Sequence, residues 1–208
     1  MNGNREKGLL LIISGPAGSG KGTIVKELLS AYPEEFCLSV SATTRAPRPG
    51  EEHGVHYYFI DKAAFEQRIE EAGMLEYASY CGNYYGTPRE YVEKKLEEGK
   101  NVILEIEVQG ALKVKEMLPE TLMIMVTPPN FTTLEARLRG RGTNTEEDIL
   151  NRLATSKVEL SQIDRYDYAV VNEDGKAALA AETVRRIVCC EKMRTARQPD
   201  FVKNFFEN

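Results

Sequence analysis

A continuous apolar run at residues 9–14 predicts a strand buried on both faces. A glycine-rich turn follows at 15–20. Residues 23–31 then place Ile24, Leu28 and Leu29 at helical spacing, with Lys26 and Glu27 between them. Further along, "NVILEIEV" (101–108), "TLMIMV" (121–126) and residues 168–171 predict three more buried strands, the first carrying two acids, Glu105 and Glu107. Residues 36–40 form a shorter apolar stretch. Helical patterns cover 62–72, with Asp61 as N-cap, and 89–98, 112–118, 131–138, 147–160 and 176–194. Buried strands alternating with helices imply an α/β fold: a parallel sheet core with helices on both faces.

Two regions break that rhythm. Residues 39–91 carry short strand-like pieces (55–60, 74–78 and "GNYYGT"), aromatics and turns, and are expected to form a small inserted domain. Residues 139–148, "RGRGTNTEED", have glycines and charges and no apolar residue before Ile149, the composition of a mobile flap. The tail from Gln198 onward shows no clear pattern.

Composition narrows the partners. With 208 residues and a formal net charge of −5, the chain has no general attraction for nucleic acid or for an anionic membrane. Phosphate binding must then come from local clusters of Arg and Lys. The short polar start and the short apolar run after it match neither a signal peptide nor a membrane span, so a cytoplasmic protein is expected. Cys37, Cys81, Cys189 and Cys190 form no C-x-x-C pair, and the two histidines are His53 and His56. This pattern suggests reduced thiols, with neither zinc nor a disulfide framework.

Gly15, Gly20 and Lys21 fit G-x-x-x-x-G-K between a strand and a helix. Glycines let successive backbone N–H groups wrap phosphate oxygens, and the following helix adds its positive end. The hydroxyl expected after the lysine is missing: Gly22 stands there, with Thr23 one place later. Thr23 is the candidate metal-side hydroxyl. Mg²⁺ held mainly by phosphates and water is the alternative.

In "TTRAPRPG", Arg45 and Arg48 are three apart on a segment stiffened by Pro47 and Pro49, and two such arginines can fork onto one phosphate. A solvated basic turn is the plainer alternative for the pair. Tyr57 and Tyr85 can add phenolic hydrogen bonds, whereas Tyr84 reads as a core aromatic. Glu76, in the apolar "MLEYA", needs a partner if buried. That partner is either a nearby cation or the adjacent N–H donors of a guanine, with Ser41 and Thr87 able to reach its O6.

"GPAGSGKGT", "SVSATTRAPRPGEEHGVHYYF", "LEYASYCGNYYGT", "EIEVQGA", "RLRGRGTNTEEDI" and "YDYAVVN" occur in an order and spacing that resembles guanylate kinase. The resemblance implies a P-loop NTPase fold with an inserted nucleotide-monophosphate-binding domain and a lid. It implies a core at 1–38, 92–130 and 156–208, a GMP-binding domain at 39–91 and a lid at 131–155. It also implies phosphoryl transfer from ATP to GMP, and to dGMP, with Mg²⁺. By position, Gly15, Pro16, Ala17, Gly18, Ser19, Gly20, Lys21, Gly22 and Thr23 match the ATP phosphate loop, and Asn172 matches an asparagine near the adenine. Arg45, Arg48, Tyr57 and Tyr85 match contacts to the GMP phosphate, and Ser41, Glu76 and Thr87 match contacts to guanine. Arg137, Arg141 and Arg152 match lid arginines. Lys21, Arg45, Arg137, Arg141 and Arg152 are the implied catalytic charges. The strand's Glu105 and Glu107 stand where aspartates are commoner in the family, placed to meet metal-bound water or GMP.

An acceptor phosphate is already an anion, so the chemistry asks for positioning and charge neutralisation, not for a general base. Two rival functions stay open at this level. One is a kinase for another acceptor such as AMP, and the other is a peptide-binding domain of the same fold. A general phosphate-loop ATPase or GTPase is a third option, which no switch or GTP-recognition motif supports.

Overall fold

The computed structural model describes residues 7–80, 82–140, 145–198 and 201–207. Its centre is a five-stranded, all-parallel sheet in the order β2-β7-β1-β8-β9: β1 (Leu10–Ser14), β2 (Phe36–Leu38), β7 (Asn101–Leu104), β8 (Leu122–Thr127) and β9 (Tyr168–Val171). Every residue of β1 is buried. Its alternation splits the core in two. Leu11 and Ile13 pack with α1 (Lys21–Ala31) and α7 (Ala177–Lys192) through Ile24, Leu28, Val184 and Val188. Leu10 and Ile12 pack with α3 (Arg89–Glu97) and α4 (Val108–Met117) through Val92, Leu96, Val108 and Leu112.

A separate four-stranded sheet has the order β4-β3-β6-β5: β3 (Ala42–Thr43), β4 (Tyr58–Phe59), β5 (Met74–Tyr80) and β6 (Asn83–Pro88). One face is covered by α2 (Lys62–Glu70), where Phe65 stacks on Tyr84 at a centroid distance of 5.2 Å beside Ala42 and Met74. Asp61 caps α2 by accepting from the Ala64 amide at 2.8 Å, as its position in the sequence implies.

The register of β5 on β6 breaks between Met74 and Glu76. In an unbroken strand those two residues share a face. The bulge separates them: Met74 packs with Phe65 on the helix side, while Glu76 stands opposite Thr87 on the other face. The extra residue, Leu75, enters the α3/α4 half of the main core.

Several boundaries differ from the pattern-based expectation. The strand expected over 101–108 stops at Leu104, because Glu105 and Glu107 leave the buried sheet for solvent and Glu107 becomes the N-cap position of α4. Helix α4 therefore starts four residues earlier than the expected 112. β9 is an edge strand, so of its four residues only Val170 is fully buried. The aromatic run at 55–60 pairs over just two residues. In the expected flap, α5 (Phe131–Gly140) and α6 (Glu146–Leu160) extend inward from both ends, with a capping box between Thr145 and Asp148 starting α6. Gly142, expected to aid flap movement, lies outside the described residues, as does Cys81. In the tail, Phe201–Glu207 form a short helix, α8, whose Phe201, Phe205 and Phe206 are exposed.

Leu75 joins the two sheets through packing alone. Leu75→Ala is expected to cost about 2–5 kcal/mol, read as a lower urea midpoint with an unchanged slope.

Candidate active site

The phosphate loop leaves β1 after Ser14 and enters α1 at Lys21. Its curvature is made by residues that need left-handed backbone. Gly20 sits at φ 83°, and a Cβ there would lie 2.3 Å from Asn172 Nδ2. At Gly15 a Cβ would lie 2.2 Å from the Val126 carbonyl oxygen. Lys21 folds back over the loop and donates to the Gly15 carbonyl at 3.1 Å. Ser19 Oγ is buried in the loop with no hydrogen-bond partner among the described residues. An orphaned hydroxyl of that kind suits a site built for a polar ligand.

Two places flank the loop. On one side is a cleft of about 450 Å³ lined by Gly18, Gly20, Thr23, Arg137, Asn172 and Asp174. Asn172 donates from Nδ2 to the Ser19 carbonyl at 2.9 Å, and its Oδ1 is buried without a hydrogen-bond partner among the described residues. Arg137 is held here by four groups. It donates to Asp174 Oδ1 at 2.6 Å, to the Asn172 carbonyl at 2.7 Å, and more weakly to the carbonyls of Ser19 and Gly18. Its guanidinium is thus tied to the back of the phosphate loop. Thr23 lines this cleft too, away from the acids at the end of β7.

On the other side are the acids. Glu105 follows β7 directly and is exposed; its Oε1 lies 3.4 Å from where a Cβ on Gly22 would be. Glu107 and Lys21 both act on Glu159, near the end of α6. Burial first, then the charge of Glu107, push the Glu159 carboxyl above its usual range, and Lys21 opposes them. Arg152 lies seven residues before Glu159 on α6, so on the same helical face about 10 Å away. It is exposed. Arg141 lies outside the described residues.

The small sheet supplies the second half. The bulge at Leu75 places Glu76 beside Thr87, whose hydroxyl donates to Glu76 Oε1 at 2.7 Å. Tyr85 follows on the same face of β6, and Ser41 immediately precedes β3, next to Ala42. The other oxygen of Glu76 faces the first turn of α4, 3.6 Å from where a Cβ on Gly110 would be. Burial raises the Glu76 carboxyl above its usual range; the Thr87 hydrogen bond and the charge of Lys113 act in the opposite direction.

Tyr57 and Tyr85 meet edge-to-face at 6.1 Å, and the guanidinium of Arg45 lies 5.7 Å from the Tyr57 ring and 5.9 Å from Phe59. Arg45 also donates to Glu51 Oε1 at 2.9 Å, while the Arg48 amide donates to Glu51 Oε2 at 2.7 Å. Those two bonds hold the Glu51 carboxyl down to about 2. The side chain of Arg48 is exposed.

The sequence-derived residues therefore fall into three groups: the loop with its cleft, the acids beside it, and one face of the small sheet. Glu51, Glu159 and Asp174 belong to the same groups and were not singled out from the sequence. Glu51 directly follows the Arg-Pro-Gly turn, and Asp174 lies two places after Asn172, so proximity was a usable signal for both. Glu159 carried none, since its place depends on how α6 packs. A cavity of about 860 Å³ at the opposite end of the main sheet, lined by Leu10, Thr121, Asp167 and Arg197, includes none of the candidate residues.

Comparison with known proteins gives consistent results. A family model described as guanylate kinase matches residues 7–188. A curated guanylate kinase of Bacillus cereus is 48% identical over 202 residues, covering 97% of this chain and 98% of that protein. One from Streptococcus pyogenes is 50% identical over 192 residues, covering 92% and 90%. The crystal structure of guanylate kinase from Anaplasma phagocytophilum superposes with a TM-score of 0.69 at 34% identity, covering 93% of this chain and 90% of that one.

Burying Glu76 ionised opposes folding. The penalty is absent where the carboxyl is protonated in both states, below about pH 4, and grows as pH rises from there through its raised folded-state value. Glu76→Gln is therefore expected to raise the melting temperature at pH 7, by about 2–4 °C for each kcal/mol relieved. That gain should vanish toward pH 4 in a calorimetric pH series.

Proposed function

The chain belongs to the guanylate kinase family, and we propose that its residues divide the transfer of a phosphoryl group from ATP to GMP as follows. Residues 1–38, 92–130 and 156–208 form the donor side, residues 39–91 hold the acceptor, and residues 131–155 close over the phosphates. The observation that carries the assignment is the acceptor face itself. A hydroxyl-bonded carboxylate, Glu76 with Thr87, shares one sheet face with a caged arginine, Arg45 among Tyr57, Tyr85 and Phe59. Such a face offers a nucleobase recognition site at one end and a phosphate site at the other.

Guanine presents N1–H and its amino group side by side, and a carboxylate can accept both, whereas adenine offers an acceptor at N1. Glu76 therefore selects guanine, and Ser41 donates toward O6; Thr87, whose one hydroxyl proton goes to Glu76 here, turns to O6 as the guanine N–H groups take its place on the carboxylate. Arg45, Arg48, Tyr57 and Tyr85 bind the phosphate, with Glu51 as the positioning residue that fixes the turn bearing both arginines. dGMP is an expected acceptor, because none of these contacts uses the ribose. On the donor side, the loop amides and Lys21 hold the ATP phosphates and Asn172 lies toward the adenine. Arg137, bound to the loop carbonyls, fixes the loop's back and contributes its charge from there. Arg152 and Arg141 add charge as α6 closes.

Mg²⁺ is the cofactor this chemistry implies. The residues fit it: Glu105 offers a hard oxygen donor beside the first turn of α1, whereas Thr23 lines the cleft on the other side, and few protein ligands are needed when phosphates and water complete the shell of Mg²⁺. When bound, it neutralises phosphate charge. The protein's own part is to hold two polyanions together and keep water out.

A coupled ADP-release assay with Mg-ATP and GMP, dGMP, AMP, CMP or UMP tests the assignment. Turnover confined to the guanine nucleotides is expected, and turnover with AMP would overturn the role of Glu76. Arg45→Ala is expected to raise the GMP KM about tenfold or more, as loss of a charge-assisted hydrogen bond predicts, while leaving the ATP KM unchanged. An unaltered GMP KM in that variant would remove Arg45 from the acceptor site.

A further inference from the structure

The cleft beside the phosphate loop holds an acid to which the transfer described above gives no role. Asp174 sits in the turn between β9 and α7, where the Lys176 amide donates to the Glu173 carbonyl at 3.1 Å and Gly175 takes left-handed backbone at φ 72°. Its two oxygens are used differently. Oδ1 accepts twice from Arg137, from Nε at 3.0 Å and from Nη2 at 2.6 Å. Oδ2 accepts no hydrogen bond among the described residues, although Asp174 lines the cleft. The paired bonds on Oδ1 fix the carboxylate and leave Oδ2 as an unused acceptor at the cleft's mouth.

The side chains around it offer acceptors and few donors. Every nitrogen of the Arg137 guanidinium already donates to protein: Nε to Asp174, Nη2 to Asp174 and the Asn172 carbonyl, and Nη1 to the carbonyls of Ser19 and Gly18. Asn172 uses Nδ2 on the Ser19 carbonyl, and Glu173 is bound by Lys176. Main-chain donors stand close by. Ala177 and Ala178 line the same cleft in the first turn of α7, where amides have no acceptor within their own helix. One wall thus sets a carboxylate oxygen beside backbone N–H groups. A six-amino purine fits that order, with a donor at C6 and an acceptor at N1. A six-oxo purine carries an acceptor at C6 and a donor at N1. The phosphate loop anchors the other end of the nucleotide, so the base cannot turn over to exchange the two positions.

We propose that Asp174 is a specificity-determining residue of the donor site: Oδ2 accepts from the exocyclic amino group of the ATP base, an α7 amide donates to N1, and the same carboxylate turns away six-oxo purines. The inference rests on the ATP-dependent transfer described above and adds the residue that reads the donor base. With a six-oxo purine, Oδ2 faces a carbonyl oxygen, and two acceptors are left opposed with no proton between them. Such a mismatch discriminates by repulsion as well as by the missing bond. The chain then reads each of its two purines with an acid, Glu76 at the acceptor and Asp174 at the donor.

The test compares ATP with ITP, which differ only on the edge in question. Labelled GMP at saturating concentration is converted to GDP with either donor and Mg²⁺, the product is separated by chromatography, and kcat/KM for each donor is measured in the wild-type protein and in Asp174→Asn. The amide keeps an oxygen for Arg137 and sets an NH₂ group where Oδ2 stood. The Asp174 side chain is 79% exposed, which holds each effect to the lower end of what such a bond gives. Asp174→Asn is therefore expected to lower kcat/KM about tenfold with ATP and raise it about tenfold with ITP, a shift in preference of about a hundredfold. The GMP KM is expected to stay constant. Equal losses with both donors would make Asp174 an anchor for Arg137 alone and overturn the assignment. So would a wild-type protein that uses ITP as readily as ATP. A wild-type protein that converts no GMP with either donor would overturn the donor site itself, a failure distinct from loss of base selectivity.

Discussion

The burial of β1 is the constraint on which the rest of this molecule depends. All five of its residues are buried, with parallel neighbours on both edges and helices on both faces. A strand held that way cannot shift, so the loop at its end starts from a fixed point. The same pairing fixes the ends of β7 and β8. From β7 the chain emerges at Glu105, and from β8 it leads to α5 and Arg137. Two groups distant in sequence, Glu105 and Arg137, thereby converge on one phosphate loop.

Much of that convergence could be read from the chain. The four long apolar runs each became a strand of the main sheet, since an unbroken run of Val, Ile, Leu and Met has few stable fates outside a doubly covered sheet. The phosphate loop was equally legible, because its glycines are required by backbone conformation and close approach. The candidate acceptor-side residues Arg45, Glu76, Tyr85 and Thr87 were picked out by their motifs, and the structure gathers them about one sheet face. What the chain hid was pairing. That Glu76 bonds Thr87, that Glu51 holds Arg45, and that Arg137 faces the back of the loop all depend on register and helix docking, which local pattern does not encode. The strand that ended early at Leu104 shows the same limit. Apolar residues alone do not terminate a strand, and the acids that do so became legible as a boundary only once their exposure was known.

The arginines illustrate how a charged site is kept ready. Bare guanidinium groups facing one another would repel and wander. Here Arg45 is held by Glu51 and two aromatic rings, Arg137 by Asp174 and backbone carbonyls, and Arg139 by Glu135 and Glu146 across the α5–α6 junction. Each pair is near the surface, where an ion pair adds little to stability. Their value lies in orientation: a donor already aimed loses less freedom when a phosphate arrives. Contacts that would look minor in any tally of folding energy thus decide where these guanidinium groups point.

The bulge at Leu75 bears on how this chain can vary through descent. An ordinary strand encodes its two sides by odd and even positions, and a lost or gained residue inverts everything beyond it. In β5 that parity is already reset once, so that methionine and glutamate two places apart look in opposite directions. Removing Leu75 would make Met74 and Glu76 consecutive, and regular alternation would leave each facing the side it faces now. What the shortened strand would lose is the leucine that reaches into the main core. For lineages sharing this hairpin, the spare residue is thus kept by the join between the two sheets and not by the direction of the acid, and a deletion at 75 should be tolerated no better than the loss of that side chain.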